Sequence, residues 1–303
     1  MTQEAKDFLH LHIIVLIWGL TAILGLLIEL PPVEVVFFRT LLSAIGLWFL
    51  LKVRKRALRV HSTKMLLVIL GTGFLIAVHW ILFFLSARIS NASVCLAGMA
   101  TCSLWTSLIE PISQGRKIKG FEVVLSIIAF IGIGIIFNVE FNYLDALLIA
   151  VLSAFISAVF TVINGRLTKQ YNPYVITFYE MVGACLSTLL FFPLYVQFFV
   201  GGIQWTPSPM DWVWLTILAI LCTVYAYSAS VELMKRLSAF SINLVVNLEP
   251  LYGIVLALVI FGASEEMSAG FYVGTTLILT SVLLYPLLNR RYKKKALATD
   301  LIR

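Results

Sequence analysis

Three ionisable residues lie deep inside long apolar segments of this 303-residue chain: Arg39, Glu180 and Glu249. An ionisable side chain at the centre of a bilayer costs about 2.5–3.5 kcal/mol on insertion scales, so each needs a partner, a water-filled cavity or a function. Arg39 carries a planar guanidinium that binds carboxylates through two parallel hydrogen bonds. One interpretation is that Arg39 binds a substrate carboxylate. The alternative is a structural ion pair, or a side chain that extends to the nearby membrane surface.

The two acidic residues have different sequence surroundings. Glu180 shares a helical face with Thr177 and Ser187, at spacings of three and seven residues, which predicts a polar stripe facing protein or water. Glu249 directly precedes Pro250, which removes a backbone donor and kinks a helix. Two roles for Glu249 stay open: exchange of a proton with a coupling gradient, or stabilisation of a helix contact.

Uncharged polar and aromatic residues complete the set of candidate substrate-binding residues. Asn243 and Asn247 lie one helical turn apart, which suits either a substrate surface or interhelical hydrogen bonds worth about 0.6 kcal/mol each. His79 is interpreted either as a cavity-lining hydrogen-bond partner or as a satisfied buried histidine. Trp18 and Trp105 lie far from the membrane surfaces where tryptophan usually gathers. They favour an aromatic-lined cavity for apolar or aromatic solutes, with lipid-facing rings as the alternative.

Composition shows which elements must position these residues. The chain is 61% hydrophobic and only 12% charged, and its mean hydropathy is +1.00. Soluble domains are about 25% charged, so a large aqueous domain is excluded. Crossing the hydrocarbon takes about 20 apolar residues. Turn residues and charge clusters predict an all-α polytopic membrane protein with ten transmembrane helices, at 11–30, 33–51, 65–85, 92–112, 121–139, 143–163, 174–200, 212–233, 238–262 and 268–288.

The distribution of basic residues predicts the orientation of these helices. With both termini in the cytoplasm, twenty of the 22 lysines and arginines fall at cytoplasmic helix ends. Such an asymmetry is the usual signal for membrane insertion. It explains the net charge of +7 better than nucleic-acid binding does, and we expect no nucleic-acid partner. The prediction is a multi-pass protein of the plasma (inner) membrane with both termini in the cytoplasm.

No motif predicts an enzyme, a metal or a cofactor. The four cysteines, Cys95, Cys102, Cys185 and Cys222, lie in apolar runs without Cys-x-x-Cys spacing. The sequence also lacks a phosphate-binding Gly-x-x-x-x-Gly-Lys loop, a Gly-x-Ser-x-Gly elbow and a His-Glu-x-x-His zinc motif. We therefore expect no catalytic residues, no metal and no cofactor.

The two halves of the chain show local similarity. Residues 32–39 match residues 173–180, and residues 88–115 can be laid on 235–262 at an offset of 147. Five helices per half is an odd number, so the halves would be inverted relative to each other, with a substrate site between them. Chance likeness of apolar segments is the alternative. The predicted divisions are a first five-helix repeat at 1–140, a second at 141–290 and a basic cytoplasmic tail at 291–303.

Several of these residues together resemble the EamA-type transporters of the drug/metabolite transporter superfamily. The matching motifs are Trp18-Gly19, Pro32 with Phe37-Phe38-Arg39, Leu237-Ser238-Ala239-Phe240, Asn247-Leu248-Glu249-Pro250, and Gly262 to Glu265 and on to Gly274. Their order across ten helices carries the resemblance, although Ser103 and Ser264 depart from the family's usual proline and glycine. It implies two inverted repeats, a central cavity open alternately to either side, and transport of small polar metabolites, often amino acids, usually outward.

The leading hypothesis is therefore a secondary transporter that exports amino acids or related small metabolites by alternating access. The alternatives are a multidrug or other metabolite carrier, an uptake permease of the same fold, and a membrane scaffold without transport activity. Expected partners are a small-molecule substrate and the lipid bilayer, with protons as a coupling ion left open.

Overall fold

The fold is helical throughout the part of the chain that the computed structural model describes: residues 2–139, 141–249 and 267–300, with 252, 253, 256, 259, 260 and 262. The first half contains α1 (Gln3–Trp18), α2 (Thr21–Leu27), α3 (Pro32–Val53), α4 (Thr63–Ile89), α5 (Ala92–Met99), α6 (Cys102–Ser113) and α7 (Gly120–Val139). The second half contains a 3₁₀ turn (Phe141–Tyr143), α8 (Leu144–Leu167), α9 (Pro173–Phe198), α10 (Pro209–Ile217), a π-helical stretch (Leu218–Tyr227), α11 (Ser228–Leu233), α12 (Ala239–Val246) and α13 (Ala269–Asp300).

Eight helical segments of the described residues are long and apolar enough to cross a membrane. They contain 22 to 27 residues, or about 33–40 Å at 1.5 Å per residue, which exceeds the roughly 30 Å of a hydrocarbon core. They coincide with eight of the ten predicted helices. Of the remaining two, the segment at 238–262 falls partly outside the described residues, as do Pro250, Ser264 and the loop acids at 265 and 266. Ten spans therefore stay a prediction.

Two membrane segments that the sequence predicts as single helices are interrupted near their middle. The segment predicted at 11–30 breaks between α1 and α2, and Gly19 packs against the backbone of Gly253 at the break. The segment predicted at 92–112 breaks between α5 and α6. There the Thr101 hydroxyl donates to the Gly98 carbonyl at 2.9 Å, which satisfies a group that a continuous helix would pair with the backbone.

The short helices α5 and α12 correspond to each other. Each spans eight residues, and their bounds differ by the same 147 residues as the sequence match. Each also begins with a polar cap: the Asn91 side chain accepts from the backbone of Val94 at 2.9 Å, and the Ser238 hydroxyl accepts from the backbone of Ser241 at 3.1 Å.

Small residues set the closest helix contacts. Gly73 on α4 faces the backbone carbonyl of Glu180 on α9, and Gly183 on α9 faces the backbone of Leu70 on α4. A Cβ atom at either glycine would collide with the facing backbone. The two helices therefore pack backbone to backbone at the level of Glu180, as membrane helices with small interface residues do.

Candidate functional site

A cavity of about 70 Å³ lies among the helices near the two interrupted segments. A single water needs roughly 10–15 Å³ of such space, so the cavity holds several waters or a small solute group. Its polar lining residues are Thr21, Arg39, His79, Ser157, Thr161, Tyr227, Ser230, Asn243 and Glu249. Its apolar and aromatic lining residues are Trp18, Trp80, Phe83, Met99, Phe160, Met234, Ile242 and Val246.

Five of the eight residues singled out in the sequence line this cavity: Trp18, Arg39, His79, Asn243 and Glu249. They come from α1, α3, α4, α12 and the chain directly after α12. The other three, Trp105, Glu180 and Asn247, lie outside the lining and make contacts elsewhere.

Arg39 is buried in the cavity wall at 2% exposure. Its Nε donates to the Thr223 hydroxyl at 3.0 Å, and its guanidinium carbon lies 3.7 Å from the centroid of the Trp80 ring. The π-helical stretch presents Thr223, whose hydroxyl also donates to the carbonyl of Leu218, five residues earlier. Among the described residues, no carboxylate forms an ion pair with Arg39. Its terminal nitrogens are available to a ligand.

Glu249 lies at the break that separates α1 from α2. The Thr21 hydroxyl donates to the Trp18 carbonyl at 2.6 Å and lies 3.4 Å from Glu249 Oε1. The Trp18 indole donates to the Cys222 carbonyl at 3.0 Å, which fixes its ring beside the π-helical stretch. Within the described part of the chain, Glu249 forms no salt bridge; the positive charge of Arg39 acts on it across the cavity without direct contact.

His79 is held by α8. The Ser153 hydroxyl lies 2.7 Å from His79 Nδ1 and 2.8 Å from the His79 carbonyl, and the Ser153 carbonyl lies 3.0 Å from Nδ1. The imidazole packs edge-on against Phe160, with ring centroids 5.4 Å apart. These contacts fix the ring orientation and direct it into the cavity. No group of three histidine, cysteine or acidic side chains suited to a metal occurs in the residues described.

Aromatic rings make up much of the cavity lining. Trp80 and Tyr227 meet edge to face, with centroids 6.2 Å apart, and Tyr227 also lies 6.5 Å from Phe160. Edge-to-face pairs are worth about 0.5–1.5 kcal/mol beyond the area they bury. The wall is therefore rigid and apolar, and it surrounds the two ionisable groups with low-dielectric material.

The two asparagines and the second tryptophan lie on α6 or next to it. Asn243 donates to Thr106 at 2.7 Å, and Asn247 donates to the Ser103 hydroxyl. Both therefore form interhelical hydrogen bonds, and Asn243 lines the cavity as well. Trp105 packs edge-on against Phe155, at 5.4 Å between centroids.

Glu180 lies behind the cavity wall. The Tyr227 hydroxyl donates to Glu180 Oε2 at 3.2 Å and accepts from the Asn164 amide at 3.0 Å. Glu180 is completely buried, and its other carboxyl oxygen has no hydrogen-bond partner within the described structure. Tyr227 separates it from the cavity.

Sequence reasoning missed several lining residues. Trp80 follows His79 directly in the sequence, and its depth in the same apolar segment could have identified it as a candidate. Ser157 and Thr161 continue the four-residue spacing from Ser153, but such a stripe is also typical of helix packing. Nothing in the sequence signals the π-helical stretch that brings Thr223 to Arg39.

Polar contacts close the bundle at both ends. On the side where the chain begins, Asp7 accepts two hydrogen bonds from Arg236, at 2.6 and 2.8 Å, and this carboxylate raises the pKa of the Arg236 guanidinium. On the other side, Arg88 donates to the Ile28 carbonyl at 2.6 Å, and Asp211 accepts from the Glu29 backbone at 2.8 Å. The cavity lies between these two layers.

Comparisons with known proteins agree with this architecture. The model of the EamA-like transporter family matches residues 8–138 and 144–286. The uncharacterized transporter YxxF of Bacillus subtilis (strain 168) is 24% identical over 272 residues, covering 88% of this chain and 85% of that protein. A solved crystal structure with 16% identity has a TM-score of 0.71 and covers 95% of this chain and 99% of its own, a likeness that shows the fold. Because the family model matches most of its length, the chain belongs to the EamA-like transporter family and is a multi-pass membrane transporter.

Proposed function

We propose that the protein exports amino acids or related small metabolites across the plasma membrane by alternating access. The observation that carries this proposal is that Arg39 and Glu249 line one cavity without forming a salt bridge to each other or to another described residue. An amino acid carries one carboxylate and one ammonium group. Its carboxylate matches the two free terminal nitrogens of Arg39, and its ammonium group matches the Glu249 carboxylate.

The apolar lining supports a preference among amino acids. Trp18, Trp80, Phe83 and Phe160 surround the ionisable pair, and no further charged side chain of the described residues lines the cavity. Small-molecule sites combine an apolar lining with a few polar groups that fix orientation. We therefore expect apolar and aromatic amino acids to be better substrates than charged ones.

The architecture supports alternating access around this site. The equal lengths and the 147-residue offset of α5 and α12 favour two related units, at 1–140 and 141–290, inverted in the membrane. Transporters of that design place their substrate beside interrupted helices near the midplane, between two halves that rock. The clustering of basic residues at one set of helix ends supports cytoplasmic termini and ten spans.

Liposomes containing purified protein test the proposal. They are preloaded with one labelled amino acid from a panel, and efflux is followed with and without unlabelled amino acid outside. We expect saturable, trans-stimulated flux that is fastest for apolar or aromatic members. Absence of such flux for every amino acid would overturn the proposal, and net flux only into vesicles of known protein orientation would identify an uptake permease instead.

Variants of cavity residues and of exposed residues, compared in the same assay, test whether transport depends on the cavity. Arg39→Ala and Glu249→Gln are expected to reduce transport strongly. Lys52→Ala removes an exposed cation from the same helix as Arg39, and Glu29→Gln removes an exposed acid, so neither should change transport. Substrates that lack one of the two charges distinguish an amino-acid exporter from a carrier of other metabolites. If the protein is such a carrier, amines or carboxylic acids will be transported as well as amino acids.

A further inference from the structure

The Glu180 carboxyl group on α9 is completely buried and has no cationic partner among the residues described. Tyr227 donates to one of its oxygens at 3.2 Å, and the other oxygen has no hydrogen-bond partner among the residues that the structure describes. Burying an ionised carboxylate without a partner is far more costly than burying a neutral acid. The surroundings therefore favour the protonated form.

A second buried oxygen without a hydrogen bond, on Asn164, supports the same conclusion. The Asn164 amide nitrogen donates to the Tyr227 hydroxyl at 3.0 Å, while the Asn164 side-chain oxygen, also buried, accepts no hydrogen bond in the described structure. Within the described structure, Glu180 and Asn164 each have a buried oxygen that lacks a donor, and both side chains are hydrogen-bonded to the Tyr227 hydroxyl. A proton on Glu180 supplies that donor.

Ionisable groups on the helices packed against α9 have partners other than Glu180. Arg54, at the end of α3, lies over the Tyr174 ring at the start of α9. Arg39 on α3 donates to Thr223 and stacks on Trp80, and His79 on α4 is bound to Ser153. Glu232 on α11 accepts from Tyr174, at the far end of α9 from the membrane centre. At the level of Glu180, α4 contributes Gly73, which brings backbone rather than a charged side chain to the contact.

Tyr227 connects this buried acid to the cavity, because its ring lines the cavity while its hydroxyl donates to Glu180. A tyrosine hydroxyl is both donor and acceptor, so it can pass a proton. We propose that Glu180 is a proton-binding site that exchanges its proton with the cavity through Tyr227. For release, the Tyr227 hydroxyl turns its hydrogen from Glu180 to a cavity water; the Glu180 O–H bond then breaks as an O–H bond forms on the Tyr227 oxygen, and the Tyr227 proton moves to that water. The net result is a Glu180 carboxylate and one proton in the cavity.

This inference rests on the proposed function in one respect: release of that proton would couple a proton gradient to substrate movement through the same cavity. Glu249, the acid that lines the cavity, stays free to bind the substrate ammonium group. Proton binding itself does not depend on the identity of the substrate and is tested without one.

Infrared spectroscopy of the purified protein in lipid nanodiscs tests proton binding. We expect the wild-type protein at neutral pH to show the C=O stretching band of a protonated carboxylic acid, and Glu180→Gln to lose it. Glu180→Asp should shift that band, and Glu29→Gln, at an exposed acid, should leave it unchanged. A band of equal intensity in wild type and Glu180→Gln would overturn the proposal.

The route is tested by transfer into D₂O. The carboxylic acid band should shift as deuterium replaces the proton, and Tyr227→Phe should slow this shift several-fold while keeping the band. Equal exchange rates in both proteins would exclude the route through Tyr227.

Coupling is tested in liposomes with labelled leucine or phenylalanine. Glu180→Gln should keep trans-stimulated exchange but lose acceleration by a pH gradient, whereas wild type shows both. Gradient acceleration retained in Glu180→Gln would refute coupling through this residue. If no amino acid is carried at all, the proposed substrate class fails, while the infrared result still decides whether Glu180 binds a proton.

Discussion

Arg39 gives the sharpest test of substrate recognition, because its role can be separated from its contribution to folding. Replacing it with alanine removes a cation–π contact of about 2 kcal/mol in a desolvated site and a charge-assisted hydrogen bond of about 1.5 kcal/mol to Thr223. The same change removes the insertion cost of a buried charge, about 2.5–3.5 kcal/mol. These contributions nearly cancel, so we expect Arg39→Ala to fold with a free energy of unfolding close to that of wild type.

The effect on substrate should be much larger. A hydrogen bond between the guanidinium and a substrate carboxylate contributes about 1.5–3 kcal/mol. Since each 1.4 kcal/mol is tenfold in an equilibrium constant, Arg39→Ala should weaken amino-acid binding by about 10- to 150-fold. Arg39→Lys keeps the charge but loses the bidentate geometry and the stacking on Trp80, and should fall between wild type and alanine.

The assay compares two ligands that differ only in the carboxylate. Phenylalanine and its decarboxylated amine, phenethylamine, compete against labelled leucine in liposome exchange. Arg39→Ala should weaken competition by phenylalanine and leave competition by phenethylamine nearly unchanged, while Lys52→Ala changes neither. Equal weakening of both ligands, or of neither, would refute carboxylate recognition by Arg39.

Three further predictions concern packing and the ends of the bundle. Gly73→Ala should destabilise the protein by about 1–3 kcal/mol, because the new Cβ meets the facing backbone of α9. Gly71→Ala, with open space around it, should be neutral or stabilising by up to about 1 kcal/mol. Thermal unfolding in detergent compares the two variants, and equal effects would contradict the close contact at Gly73. Asn247→Ala should cost about 0.6 kcal/mol through loss of its hydrogen bond to α6, and a loss above about 2 kcal/mol would indicate a larger role. Asp7→Asn should lower the free energy of unfolding by less than about 1 kcal/mol, because the Arg236 side chain is half exposed. The ion pair raises the pKa of Arg236, so its stabilisation is complete at neutral pH and is lost only as the pH rises through that raised pKa. The loss on Asp7→Asn should therefore be the same at neutral and moderately alkaline pH.

Part of the site could be predicted from the sequence because ionisable residues are rare in apolar segments. Arg39 and Glu249 stood out for that reason, and both line the cavity. Glu180 stood out equally, yet it lies behind the wall. Its position depends on how closely α4 and α9 approach at Gly73 and Gly183, and helical periodicity on one segment does not specify which neighbouring helix covers that face.

The helix segments themselves followed from hydropathy, whereas their interruptions did not. At the breaks, Thr21 and Thr101 each donate to a carbonyl three residues earlier. Thr40 makes the same bond inside the continuous helix α3, so a threonine in the sequence does not mark a break. The ion pair between Glu110 and Arg116 was predictable because the two residues lie only six positions apart. In contrast, the hydrogen bond from the backbone of Phe240 to Glu110 joins residues 130 positions apart and follows only from the assembled bundle.

The π-helical stretch at Leu218–Tyr227 has a consequence for sequence change in this protein. A π-helix accommodates extra chain within each turn, so the residues after it are rotated relative to a regular α-helix. The stretch can therefore take up a one-residue deletion by closing one turn to α-helical geometry, so that Tyr227 and Ser230 keep facing the cavity. The same deletion in a regular α-helix would turn everything beyond it by about 100°. Single-codon deletions should therefore be better tolerated within Leu218–Tyr227 than in the neighbouring α-helices.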